Sequence, residues 1–152
     1  MAGMSNYLRN KIIDWFHRGV SFTPPATVYV ALCSTAPTAS TAGTELSGTS
    51  YARVAVAQGT TEWAATNGDT TTTNPSTGTT GTTSNNADVD FGTAGAGGWG
   101  TASHWETYDA STGGNRLQYG TIVDGGGTPT PRTIGAGDPV KFPISTLRFN
   151  WT

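Results

Sequence analysis

Cys33, His104 and an acidic residue are the types from which a nucleophilic set is assembled, with thiolate, base and orienting carboxylate in turn. Cys33 is the chain's single cysteine, so an intrachain disulfide is excluded. It closes the apolar run from Thr27 to Cys33, a setting that buries a thiol rather than activating it. His104 stands beside Trp105 and Glu106 with no local motif around it, and reads as a strand histidine with a hydrogen-bond partner. His17 and His104 are not at metal-ligand spacing, and Cys33 brings no second sulfur, so no metal is expected. His17 suits the negative end of a helix dipole.

The run Gly95-Ala-Gly97-Gly98-Trp-Gly100 matches G-x-G-x-x-G letter for letter. Dinucleotide binding also requires a helix whose N-terminus meets the pyrophosphate and an acidic residue about 20 positions on, whereas the residues after Gly100 are β-patterned. No cofactor is expected. Asp88, Asp90, Asp109, Asp124 and Asp138 sit near glycines without the regular calcium-loop arrangement, and read as turn formers or, for Asp88 and Asp90, as the wet face of a strand. No catalytic residue emerges, and the expectation is that the chain is not an enzyme.

The elements that carry these residues begin with one short amphipathic helix. Leu8, Ile12, Trp15 and Phe16 recur at three- and four-residue spacing, with Ser5 as N-cap, Arg18 in the last turn and Gly19 as the left-handed stop. Pro24 and Pro25 forbid continuation. Thr27 to Cys33 then reads as a strand covered on both sides, with the helix as the cover for one of them. Ser34 to Ser50 is a long connection with Glu45 and Leu46 as its exceptions, and Tyr51 to Ala57 is a half-buried strand. From Thr60 to Asn86 the chain is rich in Thr, Gly and Asn, and reads as a long loop, mobile or ordered only against a neighbour. Ala87 to Phe91 is a short strand. Ser103 to Tyr108 and Arg116 to Ile122 flank a turn-rich loop and form a hairpin, and Leu147, Phe149 and Trp151 give the last strand a core face.

One helix and about seven or eight short strands fit an all-β fold, an antiparallel β-sandwich of jelly-roll type with one N-terminal α-helix, built as a single domain over residues 1–152. The net charge is −2 and only 12% of residues are charged, so the footprint expected for nucleic acid or an anionic membrane is missing. No apolar run reaches the roughly 20 residues of a membrane span, and no ordinary secretory leader is visible, so a soluble, non-exported chain is expected.

The five tryptophans are harder to place in so polar a chain. A sandwich core absorbs Trp15, Trp105 and Trp151. Trp63 and Trp99 sit in loop-like settings, where they either fold back over the domain's own core or are covered by another surface. With the outward face of the strand at Tyr51 and Arg53, they make the candidate interface Tyr51, Arg53, Trp63 and Trp99.

In order along the chain stand S-N-Y-L at Ser5 to Leu8, P-A-T-V-Y-V-A-L at Pro25 to Leu32, T-x-P at Thr35 to Pro37 and Y-A-R at Tyr51 to Arg53. Next come N-A-D-V-x-F at Asn86 to Phe91, W-G-T-x-x-H at Trp99 to His104 and Y-D-A-x-T-G-G-N-x-L at Tyr108 to Leu117. In these phrases the chain resembles a family of tailed-bacteriophage virion proteins, often labelled tail fibre proteins, some of which resemble capsid cement proteins. The resemblance implies a small β-sandwich that sits as a homotrimer on the capsid exterior and ties major capsid protein subunits together, with no catalysis. The alternative expectation is a tail-fibre or receptor-binding module of the phage tail.

Overall fold

The structure, a computed structural model, describes residues 2–65, 76 and 81–151. Its elements in chain order are strand β1 (Gly3–Met4), helix α1 (Asn6–Arg18), and strands β2 (Thr27–Cys33), β3 (Val54–Ala57), β4 (Thr82–Ser84), β5 (Val89–Thr93), β6 (Gly100–Ala102), β7 (His104–Tyr108), β8 (Arg116–Thr121), β9 (Arg132–Ile134), β10 (Pro139–Phe142) and β11 (Arg148–Asn150).

Ser5 starts the helix in the way its residue type favours. Its backbone is extended, its Oγ accepts the Leu8 N–H at 3.2 Å, and its own N–H donates to the Leu117 carbonyl, so the cap also pins α1 to β8. At the other end Gly19 takes φ 67°, a conformation costly for any side chain, and the Val20 N–H closes onto Asp14 O at 3.0 Å.

β2 lies between β7 and the edge strand β3 in a five-stranded antiparallel sheet ordered β1-β8-β7-β2-β3. Its alternating side chains split between two covers. Val30 and Leu32, with Trp105 and Val56, face a core closed by three two-stranded ribbons, β5–β10, β4–β11 and β6–β9, which supply Val89, Phe91, Val140, Ile134 and Phe149. The Trp105 ring meets Phe149 edge to face at 4.8 Å and lies so close over β8 that a Cβ at Gly120 would stand 2.5 Å from it. On the other side, Ala31 and Cys33 share a face with Glu106 and Tyr108 and are covered by the connection from Ser34 to Ser50.

The fold is therefore all-β and antiparallel with one N-terminal helix, and its second layer is three ribbons rather than one continuous sheet. Eleven strands stand among the described residues where seven or eight were expected. The additional ones, such as β1, β4 and β6, are two or three residues long, too short to show a period. β3 starts at Val54 rather than Tyr51, because the edge of β2 beyond Val30 is taken by the connection, where the Leu46 N–H donates to Leu32 O and Glu45 pairs with Cys33. The long loop expected from Thr60 to Asn86 is interrupted by β4, which pairs with β11; residues 66–75 and 77–80 of that stretch lie outside the described residues.

The expected helix cover for β2 is also corrected. α1 packs mainly on β8 and β1, at the far edge of the sheet, and buries Leu8 alone. Its apolar stripe is wider than the strip of sheet beneath it.

Candidate functional site

Cys33, His104 and Glu106 do come together on one face of β2 and β7, and the geometry directs them to fastening. Cys33 Sγ donates to Glu106 Oε2 at 3.3 Å. Burial, then the neighbouring carboxylate, pushes the Cys33 thiol far above its ordinary value, which withholds the thiolate a nucleophile needs. Glu106, fully buried, also accepts from Tyr108 Oη at 2.7 Å, from the Gly43 N–H at 3.0 Å and from Arg116 Nη1 at 2.6 Å. His104 turns to Ser103, whose Oγ lies 2.8 Å from Nδ1, and burial pushes its imidazole below the usual range.

The connection from Ser34 to Ser50 is held by two arginines. Arg116 donates to the carbonyls of Thr38 and Thr41, and Arg53 makes a fork-to-fork pair with Glu45, 2.8 Å at the shortest, while donating to Ala110 O and Gly113 O across the sheet. The Arg53 guanidinium lies 3.6 Å above the Tyr108 ring. Burial draws its pKa down, but the Glu45 carboxylate outweighs that and the net shift is upward.

These contacts tie the four expected interface residues to the molecule's own core, with Trp99 buried and Tyr51, Arg53 and Trp63 half-buried. Arg53 is an internal tie, and its side chain is 8% exposed. Tyr51 packs its ring on Phe91 and on Trp99, and its Oη accepts the Leu32 N–H at 3.0 Å. Trp99 is 3% exposed, with Nε1 donating to Thr49 O at 2.9 Å. Trp63 is partly buried against Phe149 at 5.2 Å and donates to Ala57 O. The loop tryptophans fold back because each indole N–H finds a backbone carbonyl while its ring enters the core.

The two terminal tryptophans expected in the core lie outside it: Trp15 is 58% exposed and Trp151 46%. Around them Phe16 is 73% exposed, Val20 50% and Ile13 49%. Beside this ridge runs an apolar groove of about 620 Å³ between α1 and the start of β2, lined by Trp15, Phe22, Pro24, Pro25, Val28 and Trp151 among others. The signal for it was in the sequence. Trp15 and Phe16 are consecutive, hence about 100° apart around a helix, and two such rings cannot both face one narrow strip of sheet.

Among the described residues, no group of three His, Cys, Asp or Glu is placed to hold a metal ion, and no helix is long and apolar enough to cross a membrane. Gly95 to Gly100 leads into β6, so no helix N-terminus comes after the glycine run. The concave apolar feature on the helix side thus stands as the candidate site, an interaction surface. No curated protein matches the chain. A family model does, from residue 3 to residue 150, and on that match this phage virion structural protein belongs to the family described as Podophage GP4 fiber I protein gp80.

Proposed function

We propose that the chain is a non-catalytic attachment module of the phage particle that assembles through the apolar face of α1. The observation that carries this reading is the contrast between the two kinds of surface. The polar groups a reaction centre would use are tied to one another inside the sheet, while large aromatics that a lone domain would bury stand in water on a firmly capped helix. The family's description as a fibre protein supports placement in a tail fibre.

A second reading is a capsid decoration protein that ties major capsid protein subunits together from the outside of the head, as a homotrimer. In its favour, the described residues build one short-stranded body with no stalk. Copy number and position in purified particles test the two. A few dozen copies at the tail support the fibre, and on the order of hundreds over the head, where avidity multiplies a modest contact, support decoration. Absence from complete particles overturns both.

A further inference from the structure

We infer that the open end of the sandwich, where the groove beside α1 passes Trp151, is a binding site for a neutral saccharide. The groove does not stop at Trp151. It runs on into a second hollow of about 220 Å³ that shares Val28, Gln58, Gln118 and Trp151 with it and adds Trp63 and Phe149. The floor continues the core-facing rows of the sheet. Val28 extends the row of Val30 on β2, Gln58 that of Val56 on β3, and Gln118 stands two residues before Gly120, over which the Trp105 ring lies. Rows that carry Val and Trp elsewhere thus end on two glutamines. Gln118 is half-buried, and its amide, like that of Gln58, makes no hydrogen bond among the described residues; only their backbone groups are paired. A half-buried amide with its donors and acceptor unspent holds water or a ligand.

The chemistry of the lining selects the ligand. Among the described residues no charged side chain lines either hollow, so a phosphate or carboxylate would leave water without gaining a partner. An alkyl chain would cover the tryptophans but leave the Gln118 amide dry and unpaired. A peptide strand would need a free sheet edge for its backbone, whereas this floor is a sheet face. A pyranose ring matches both kinds of surface, because its C–H face stacks on an indole while its hydroxyls donate to and accept from the amides. Exposed indoles stand ready at the mouth in Trp15 and Trp151, and Trp151 is held there by its backbone N–H on Gly81 O at 2.9 Å. Trp63 is fixed behind them by Phe149 and by Ala57 O. The larger hollow, about 620 Å³, has the size of a small-ligand site, with the apolar wall and few polar groups that such sites show. The inference goes beyond the assembly role proposed above. It uses none of Ile13, Phe16 and Val20, and either reading can fail without the other.

The test is isothermal titration calorimetry with tryptophan fluorescence on the full chain, against neutral oligosaccharides of glucose, galactose, mannose, rhamnose and N-acetylglucosamine. At least one is expected to bind with saturation and to shift the indole emission to the blue. Gln118→Leu keeps the bulk of the side chain and removes its amide, and Trp151→Ala removes a stacking face. Each is expected to weaken that binding about 10-fold with unchanged far-ultraviolet circular dichroism, and Ile144→Glu, outside the cleft, to bind as the wild type does. Absence of saturation by every sugar up to about 10 mM, or binding that survives both changes, overturns the inference. Either result leaves the proposed function standing, because that is tested on copy number and position in particles. A wild type that ignores every sugar yet enhances anilinonaphthalene sulfonate fluorescence, with a further rise in Gln118→Leu, assigns the cleft to an apolar partner and overturns the inference as well.

Discussion

Nη1 of Arg116 stands 2.6 Å from Oε1 of Glu106, and the carboxylate in this pair has no exposed surface. A bare buried carboxylate is prohibitively costly, but this one is met by a guanidinium, a phenol, a thiol and a backbone N–H. Arg116 spends its remaining donors on Thr38 O and Thr41 O, so the pair holds the connection from Ser34 to Ser50 against the sheet. Cys33 and Glu106, two of the residue types from which a nucleophilic set is assembled, are here members of the polar layer that clasps this connection.

Removing both partners should therefore cost less than the two single removals added together. Glu106→Gln keeps the shape but leaves Arg116 as an uncompensated buried charge, and is expected to lose about 3 kcal/mol, or about 10 °C in Tm for a chain of this size. Glu106→Leu combined with Arg116→Met is expected to lose less than the sum of the two single changes. Urea denaturation measures all of these, and a loss under about 1 kcal/mol for Glu106→Gln would show that the pair holds nothing.

The same layer sets an alkaline limit. Burial first, and then the nearby carboxylates, hold Cys33, Tyr51 and Tyr108 protonated in the fold well above their ordinary values of 9.0 for the thiol and 10.0 for the phenols. The unfolded chain releases these protons first. Stability is thus fully present below pH 9 and falls as pH rises, with a slope for Cys33 of up to about 1.4 kcal/mol per pH unit, and the tyrosines join above pH 10. Urea midpoints at pH 7, 9, 10 and 11 should show the decline, and Cys33→Ala should flatten its first part. An unchanged fall between pH 9 and 10 in that variant would remove Cys33 from the account.

The helix with both its caps, the run from Thr27 to Cys33 and the hairpin from Ser103 to Ile122 were legible because each depends on local chemistry: a capping hydroxyl, a left-handed glycine, a β-branched run, a turn-forming loop. The tryptophans were not. Periodicity reports that Trp15 and Trp151 lie on apolar faces, but not how much of each face the same chain covers; Trp63 and Trp99 carry no period because turns deliver them to the core. Glu106 was hidden for a related reason. Its partners Gly43 and Cys33 are 63 and 73 residues away in the chain, a relationship no local pattern records.

Asn85 was overlooked at the end of a polar stretch, yet it is fully buried and ties three segments together. Nδ2 donates to Ala87 O and Pro143 O, each at 2.8 Å, and Oδ1 accepts the Leu147 N–H at 2.8 Å; its backbone bonds Leu147 and Ser145 as well. Asn85→Ala leaves a buried N–H and two carbonyls without that side chain and is expected to cost about 3 kcal/mol. Asn85→Asp, which turns a carboxylate toward carbonyl oxygens, should cost at least as much. Near-ultraviolet circular dichroism and urea melts decide it, and a native-like Asn85→Asp would refute the assignment.

Trp99 offers the cleanest separation between a core residue and an interface residue. Its ring meets Tyr51 edge to face at 5.3 Å, Nε1 is satisfied by Thr49 O, and a Cβ on Gly48 would come within 2.8 Å of the indole, so the pocket is built around this side chain. Truncation to Ala opens a large cavity in the isolated chain and should cost about 3–5 kcal/mol. Trp99→Phe keeps most of the ring but removes one of the two donors to the Thr49 carbonyl, which retains the Gly95 N–H, and should cost about 1 kcal/mol. Were Trp99 instead to act by covering a neighbour, both changes would leave urea stability of the isolated chain within about 0.5 kcal/mol, as surface substitutions do, and reduce only incorporation into particles. The graded loss in the isolated chain is the outcome its burial requires, because the cost of a cavity is set by the surrounding side chains and does not depend on a partner.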